Sequence, residues 1–327
     1  MISKKTLFLL GLPIMSTMED FSSQINLTTR TLYHFSTKSS KFYKTIHTTK
    51  ANGKIRILHS PSAEMKAIQA WILRNILEKL PTHKSATGFI RKQSILVNAE
   101  RHRENSFCLC LDITDFFNNT SKKKVFTFFR SLGYPDQIAI TLTNLCTHEN
   151  GLPQGGVSSP ALSNLVNTRL DHRISSYVGK RNIVYTRYAD DITISSNNSD
   201  QLYKAKKVIE KILDDEGYQL NSTKTRFLRP GALRKITGLV ISDDNNSIGV
   251  GRKEKRILRA KIHQSLNSTT MNKSEKLKKE NHIQGWLNYL NSIDKNSVRY
   301  LGEYYAKEIL KIGKNQAAST SIDDEIN

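Results

Sequence analysis

The chain has 327 residues, with 50 lysines and arginines against 29 aspartates and glutamates, a formal net charge of +21. Hydrophobic residues at 38% and charged residues at 24% exclude a disordered or fibrous chain, and the length suits one large domain or two to three packed subdomains. Charge this lopsided makes a polyanion, nucleic acid first among them, the partner to consider, although solvated lysines alone would give the same number.

The start, Met1-Ile-Ser-Lys-Lys-Thr-Leu-Phe-Leu-Leu-Gly-Leu-Pro13, has the outline of a signal peptide. Pro13 interrupts it, no small-x-small cleavage site follows, and its roughly ten apolar residues fall far short of the ~20 that span a bilayer. It reads as an N-terminal helix docking on the body of a cytoplasmic protein, with no membrane partner. Residues 45–58 read as a β-hairpin turning through Asn52-Gly53, with Lys54 and Arg56 on one face and Ile55 and Ile57 on the other. Ser60-Pro61-Ser62 opens a helix striped by Met65, Ile68, Ile72 and Ile76 and stopped at Pro81.

The almost continuous apolar run 106–113 predicts a strand covered by helices. It carries Cys108 and Cys110, which with Cys146 read as reduced core thiols, since no second Cys/His pair stands at zinc spacing. One helix is expected over 159–177, with Pro160 in its first turn. A second hairpin, 183–188 and 192–196, turns through Ala189-Asp190, and a helix over 200–214 ends at Gly217. From about Arg252 the chain becomes a small helical subdomain with a basic face, on which Trp286 and Tyr289 divide between core packing and base stacking. The residues from Gln316 onward read as a disordered tail.

Asp112 closes the apolar strand, and a carboxylate buried bare costs several kcal/mol, so it is paired or holds a cation. A strand-end aspartate accepting backbone hydrogen bonds is the plain reading of Asp112 alone. The adjacent Asp190 and Asp191 would repel by roughly 4 kcal/mol at ~4 Å and an effective dielectric near 20, a cost that a divalent cation reverses. An Asp-Asp turn is ordinary on surfaces, but three carboxylates from neighbouring strands form a partly open set of hard oxygens of the kind Mg²⁺ prefers. Such a set points to phosphoryl transfer. No GxxxxGK[ST] loop is present, which speaks against a P-loop NTPase.

Leu111-Asp-Ile-Thr-Asp-Phe-Phe117, Leu152-Pro-Gln-Gly-Gly156 and Tyr188-Ala-Asp-Asp191, in that order, resemble the A, B and C motifs of reverse transcriptases. Leu220-Asn221-x-x-Lys224-Thr225 resembles motif D, and Lys235-Ile-Thr-Gly-Leu239 resembles the primer grip. Asn98-Ala-Glu-Arg-His102 fits the NAxxH signature of retron reverse transcriptases, and Ile236-Thr237-Gly238 resembles their VTG signature with Ile for Val. The short chain without an endonuclease or maturase-like extension is also typical of retrons and argues against an intron-encoded enzyme.

The resemblance implies a mixed α/β (α+β) right-hand polymerase fold with fingers, a palm of antiparallel sheet covered by helices, and a helical thumb. Its expected divisions are an N-terminal helical segment (1–44), fingers (45–105), palm (106–234), primer grip and basic thumb (235–315), and tail (316–327). It further implies that Asp112, Asp190 and Asp191, assisted by the Ile113 carbonyl, hold two Mg²⁺ ions. Phe117 would be the aromatic steric gate that rejects a ribose 2′-OH, with a core aromatic beside Phe116 as the competing reading. Gln154 and Gly155 would contact nucleotide and template, Lys54 and Arg56 would grip the triphosphate, and Lys224 would donate a proton to pyrophosphate; a plain loop or solvated charges would explain each.

Asn98, His102, Arg252, Lys253, Arg256, Arg259 and Lys261 are the expected RNA contacts, His102 alternatively capping a helix. The implied activity is RNA-directed DNA synthesis primed from a guanosine 2′-OH of the enzyme's own structured noncoding RNA. The implied partners are that RNA, the RNA–DNA hybrid product, dNTPs and an effector protein of anti-phage defence. A reverse transcriptase of another bacterial lineage and an inactive RNA-binding scaffold stand as alternatives.

Overall fold

In the computed structural model the described residues are 2–49, 53, 55–242, 247–267 and 273–323. They form two units: Met1–Ser94 with Asn105–Leu228, and Ile95–Glu104 with Arg229–Asn327.

The first unit opens with α1 (Ile2–Leu9), α2 (Met18–Ile25) and α3 (Thr29–Thr37). A capping box starts α2: the Thr17 hydroxyl accepts from the Asp20 N–H, and the Asp20 carboxylate accepts from the Thr17 N–H at 3.0 Å. β1 (Tyr43–Thr49) and β2 (Ile55–Pro61) pair as the expected hairpin, Thr48 opposite Arg56. Residues 50–52 of its turn and Lys54 lie outside the described residues. Ile55 and Ile57, expected to share an apolar face, are 66% and 50% exposed, so alternation in this arm does not mark a buried side.

The Ser62 hydroxyl accepts from the Met65 N–H and caps α4 (Ala63–Asn75), which buries Met65, Ile68 and Ile72 at helical spacing. Leu7, Phe21, Leu32 and Phe35 pack in one core with α4 and with Val125, Phe129, Ile138 and Leu142. The N-terminal helix therefore docks on the body, and residues 1–44 share its core; cutting Phe21 back to alanine would cost ~3–5 kcal/mol.

After α5 (Ile95–Glu100), which belongs to the second unit, the chain forms β3 (Phe107–Asp112), α6 (Phe116–Asn119), α7 (Lys122–Ser131), α8 (Asp136–Cys146), α9 (Ser159–Val166) and α10 (Thr168–Gly179). β4 (Val184–Tyr188), β5 (Asp191–Ser196), α11 (Ser199–Asp215) and β6 (Arg226–Leu228) complete the first unit. The sheet order is β4-β5-β3-β6, antiparallel throughout. Leu109 and Leu111 of β3 and Ile192 and Ile194 of β5 pack with Leu170 and Ile174 of α10 and Leu202, Ile209 and Leu213 of α11, which covers one face of the sheet. The single helix expected over 159–177 is two, because the Asn167 amide turns back to donate to the Ser163 carbonyl at 2.9 Å. All three cysteines are buried free thiols, as their setting implied.

In the second unit, β7 (Arg234–Ile236), β8 (Leu239–Ile241) and β9 (Ile248–Gly249) form an antiparallel sheet. It is followed by α12 (Gly251–Asn267), α13 (Lys273–Ile293) and α14 (Lys295–Asp323). Leu239, Leu258, Ile262, Leu290 and Leu301 share one core, with Ala99 of α5 buried in it and Trp286 packed against it. Residues 95–104, expected with the fingers, thus belong with the chain from Arg229 onward. Of the tail expected to be disordered over 316–327, residues 316–323 instead continue α14, where Ala317 and Ala318 favour helix and no proline intervenes; residues 324–327 lie outside the described residues. Among the described residues no helix is long and apolar enough to cross a membrane.

Candidate active site

Asp112 at the end of β3 stands directly opposite Asp191 at the start of β5. Residues directly opposite in an antiparallel pair project from the same face, so the two carboxylates share a rim. Asp190 joins them on the turn, where Ala189 takes a left-handed backbone (φ 56°) and the Asp190 carbonyl accepts from the Ile113 N–H at 3.0 Å. Burial, and then repulsion from Asp190 and Asp112, pushes the Asp191 carboxyl up to about 6. Asp190 is also raised, first by burial and further by Asp112, while Lys224 and Arg56 act against the rise. The Lys224 ammonium donates to both Asp112 carboxylate oxygens, at 2.9 and 2.7 Å. The lysine of the motif D segment thus sits on one of the three rim carboxylates, where its positive charge offsets the crowding of negative ones.

Of the remaining first-unit candidates, Phe117 lies on α6 and Gln154 and Gly155 lie on the loop between α8 and α9. Phe117 sits half-buried on α6, 5.6 Å from the Phe116 ring and 6.3 Å from that of Phe89. The Phe117 carbonyl accepts from the Leu152 N–H at 3.1 Å, tying α6 to the Leu152–Gly156 loop. That loop is tied to the hairpin as well, because the Gln154 carbonyl accepts from the His59 N–H at 2.8 Å. At Gly155 the backbone has φ +122°, and a Cβ there would lie 2.9 Å from the His59 carbonyl oxygen, so glycine is required. Buried Gln69 holds the loop from beneath: its carbonyl accepts from the Val157 N–H at 2.9 Å while its amide donates to the Leu145 carbonyl and the Tyr43 hydroxyl.

A polar network under the Tyr188–Asp191 turn escaped the sequence reading. Arg187 and Asp171, each 0% exposed, form a bidentate ion pair at 2.8 and 2.6 Å. The Tyr185 hydroxyl donates to Asp171 at 2.6 Å, and Arg187 Nη1 reaches the Ala189 carbonyl at 3.3 Å. Asn164 donates to the Gly88 carbonyl at 2.7 Å, and the Thr87 N–H donates to the Arg187 carbonyl at 2.8 Å. A usable signal existed: Asp171 sits between Leu170 and Ile174 on the apolar face of its helix, where a charge needs a partner.

In the second unit two expected RNA contacts are corrected. Asn98 and His102 are 1% and 0% exposed, so they are not available to RNA. The Asn98 amide donates to the Thr237 hydroxyl at 3.3 Å, which joins the NAxxH segment to the Ile236-Thr237-Gly238 segment. Burial, with Arg101 adding to it, lowers His102 to about 3 and keeps it neutral. Arg252, Lys253, Arg256, Arg259 and Lys261 are exposed along α12, while Leu258 and Ile262 are buried.

The chemistry of the rim suits divalent cations. Burial and neighbouring carboxylates hold Asp190 and Asp191 above the usual carboxylate range, and a cation beside these hard oxygens relieves the repulsion. Among the described residues no group of three or more His, Cys, Asp or Glu side chains is arranged so that it could by itself hold a metal ion.

Residues 47–304 match the family described as reverse transcriptase (RNA-dependent DNA polymerase), and the chain belongs to that family. A telomerase structure from Candida albicans superposes at a TM-score of 0.50 with 12% identity, covering 82% of this chain and 60% of that one, which supports the right-hand polymerase fold. The chain is 40% identical to the Retron Ec86 reverse transcriptase of Escherichia coli over 94% of its own length and 93% of the relative's. It is 30% identical to the Retron Mx65 reverse transcriptase of Myxococcus xanthus, over 87% and 70%. This is a retron-type reverse transcriptase, an RNA-directed DNA polymerase.

Proposed function

We propose that the enzyme copies part of its own structured noncoding RNA into DNA, priming from a guanosine 2′-OH and leaving a branched RNA–DNA hybrid. The observation that carries the catalytic part is the single rim shared by Asp112, Asp190 and Asp191, with Asp190 and Asp191 raised by burial and by the carboxylates beside them. Asp112 and Asp190 would hold two Mg²⁺ ions, with Asp191 and the Ile113 carbonyl assisting. When bound there, such ions lower the pKa of the primer hydroxyl and stabilise the departing pyrophosphate.

The chain's own residues do the rest. Arg56, whose charge reaches Asp190, binds the triphosphate, and Lys54 is proposed for the same task. Gln154 and Gly155 line the nucleotide on a loop fixed by His59 and Gln69. Phe117 excludes the ribose 2′-OH. Lys224, which donates to Asp112, would give a proton to pyrophosphate. Exposed Arg252, Lys253, Arg256, Arg259 and Lys261 contact RNA phosphates, so affinity would fall steeply with salt. We further propose a cytoplasmic enzyme that acts with an effector protein in anti-phage defence, as its retron kinship suggests.

The test is to purify the protein from cells carrying its own locus, extract nucleic acid, and sequence across any RNA–DNA junction. A 2′–5′ linkage at a guanosine supports the proposal; linear cDNA alone overturns it.

A further inference from the structure

Phe89 is a large apolar side chain 46% exposed on a loop whose neighbours are fixed. Its backbone is left-handed, φ 60°, a conformation that a bulky side chain adopts only when its surroundings impose it. The constraint is visible in the two residues that precede it. Asn164 holds the Gly88 carbonyl at 2.7 Å, and Thr87 donates to the Arg187 carbonyl at 2.8 Å. A Cβ on Gly88 would come within 3.1 Å of the Ala189 nitrogen and 3.2 Å of the Tyr188 ring, so the loop lies directly against the catalytic turn. The result is to hold the Phe89 ring 6.3 Å from Phe117 and 5.8 Å from Tyr188, both within aromatic pairing distance.

We propose that Phe89 is a specificity-determining residue that backs the Phe117 ring and fixes its position against the nucleotide sugar. A ring that rejects a single hydroxyl must not yield when the hydroxyl arrives. Phe117 is braced by Phe116 on one side, and Phe89 supplies a second brace from a loop anchored to the same turn that carries Asp190. Exposure is then explained by position, because the ring closes the outer edge of the sugar pocket rather than filling the core. This role rests on Phe117 being the sugar gate.

The test is single-nucleotide primer extension on an RNA template, comparing dNTP with the matching rNTP for wild type and for Phe117→Ala, Phe89→Ala and Phe89→Tyr. An aromatic pair contributes enough to alter selectivity by roughly three- to tenfold. The expected result is that Phe117→Ala raises ribonucleotide use strongly. Phe89→Ala should raise the rNTP-to-dNTP ratio of kcat/KM roughly three- to tenfold, and Phe89→Tyr should keep wild-type selectivity. If Phe117→Ala changes selectivity and Phe89→Ala does not, the role of Phe89 is overturned while the gate reading stands. An equal rise in KM for both nucleotides in Phe89→Ala would also overturn it, making the ring a template platform. If Phe117→Ala itself leaves selectivity unchanged, the gate reading fails, and the role of Phe89 with it.

Discussion

Replacing Arg187 with methionine removes one half of an ion pair in which both side chains are 0% exposed. Two charge-assisted bonds of 2.8 and 2.6 Å disappear, and Asp171 keeps the Tyr185 hydroxyl at 2.6 Å. Breaking a buried pair by removing one partner costs ~3–5 kcal/mol, because the remaining charge stays desolvated. At roughly 2–4 °C per kcal/mol for a unit of 150–250 residues, melting should fall by about 6–20 °C. Asp171→Leu combined with Arg187→Met removes both charges and should recover most of the loss. Differential scanning calorimetry of the three proteins, with urea unfolding beside it, measures this. A single variant melting within about 2 °C of wild type, less than one kcal/mol on that scale, or a double variant less stable than the single, would refute the reasoning.

Asp191, pushed up to about 6 from an ordinary value of 3.8, favours its protonated form when folded. Its stabilising contribution is full below pH ~4 and lost as pH rises through about 6. In EDTA, Asp191→Asn should therefore melt above wild type at pH 7, with the gap closing toward pH ~4; a pH-independent gap contradicts this. His102, lowered to about 3 by burial, is neutral when folded, so its contribution is present above pH ~6.5 and fades as pH falls toward about 3. His102→Gln should flatten the acid limb of the melting curve and leave the salt slope of RNA affinity unchanged; a reduced slope would return His102 to the RNA interface. Gly155→Ala meets the His59 carbonyl at 2.9 Å, and primer extension should fall at least about tenfold with circular dichroism unchanged; full activity would show that the loop has room.

The elements that carry the carboxylates were legible because their signals are local. An unbroken apolar run gives β3, alternation gives β4 and β5, and the Ala189-Asp190 turn sits where the residue pattern changes. What escaped depends on partners distant in sequence. Nothing before Asn167 marks a helix break, since its amide satisfies Ser163 only once the turn forms. The Arg187–Asp171 pair joins a strand to a helix, and the left-handed backbone of Phe89 comes from a loop pinned by Asn164 and Arg187. The family resemblance implies RNA contacts at Asn98 and His102, but burial, which a signature does not reveal, assigns Asn98 to the Thr237 contact.

Catalysis by the Asp112–Asp190–Asp191 rim is tested most directly by extending an annealed primer on RNA with dNTPs and Mg²⁺, using wild type, Asp112→Asn and Asp190→Asn. Wild type should extend the primer and each variant should lose ~10³-fold or more, about 4 kcal/mol of barrier, while keeping wild-type melting within a few degrees. Extension by a folded Asp190→Asn protein at the wild-type rate would contradict the assignment.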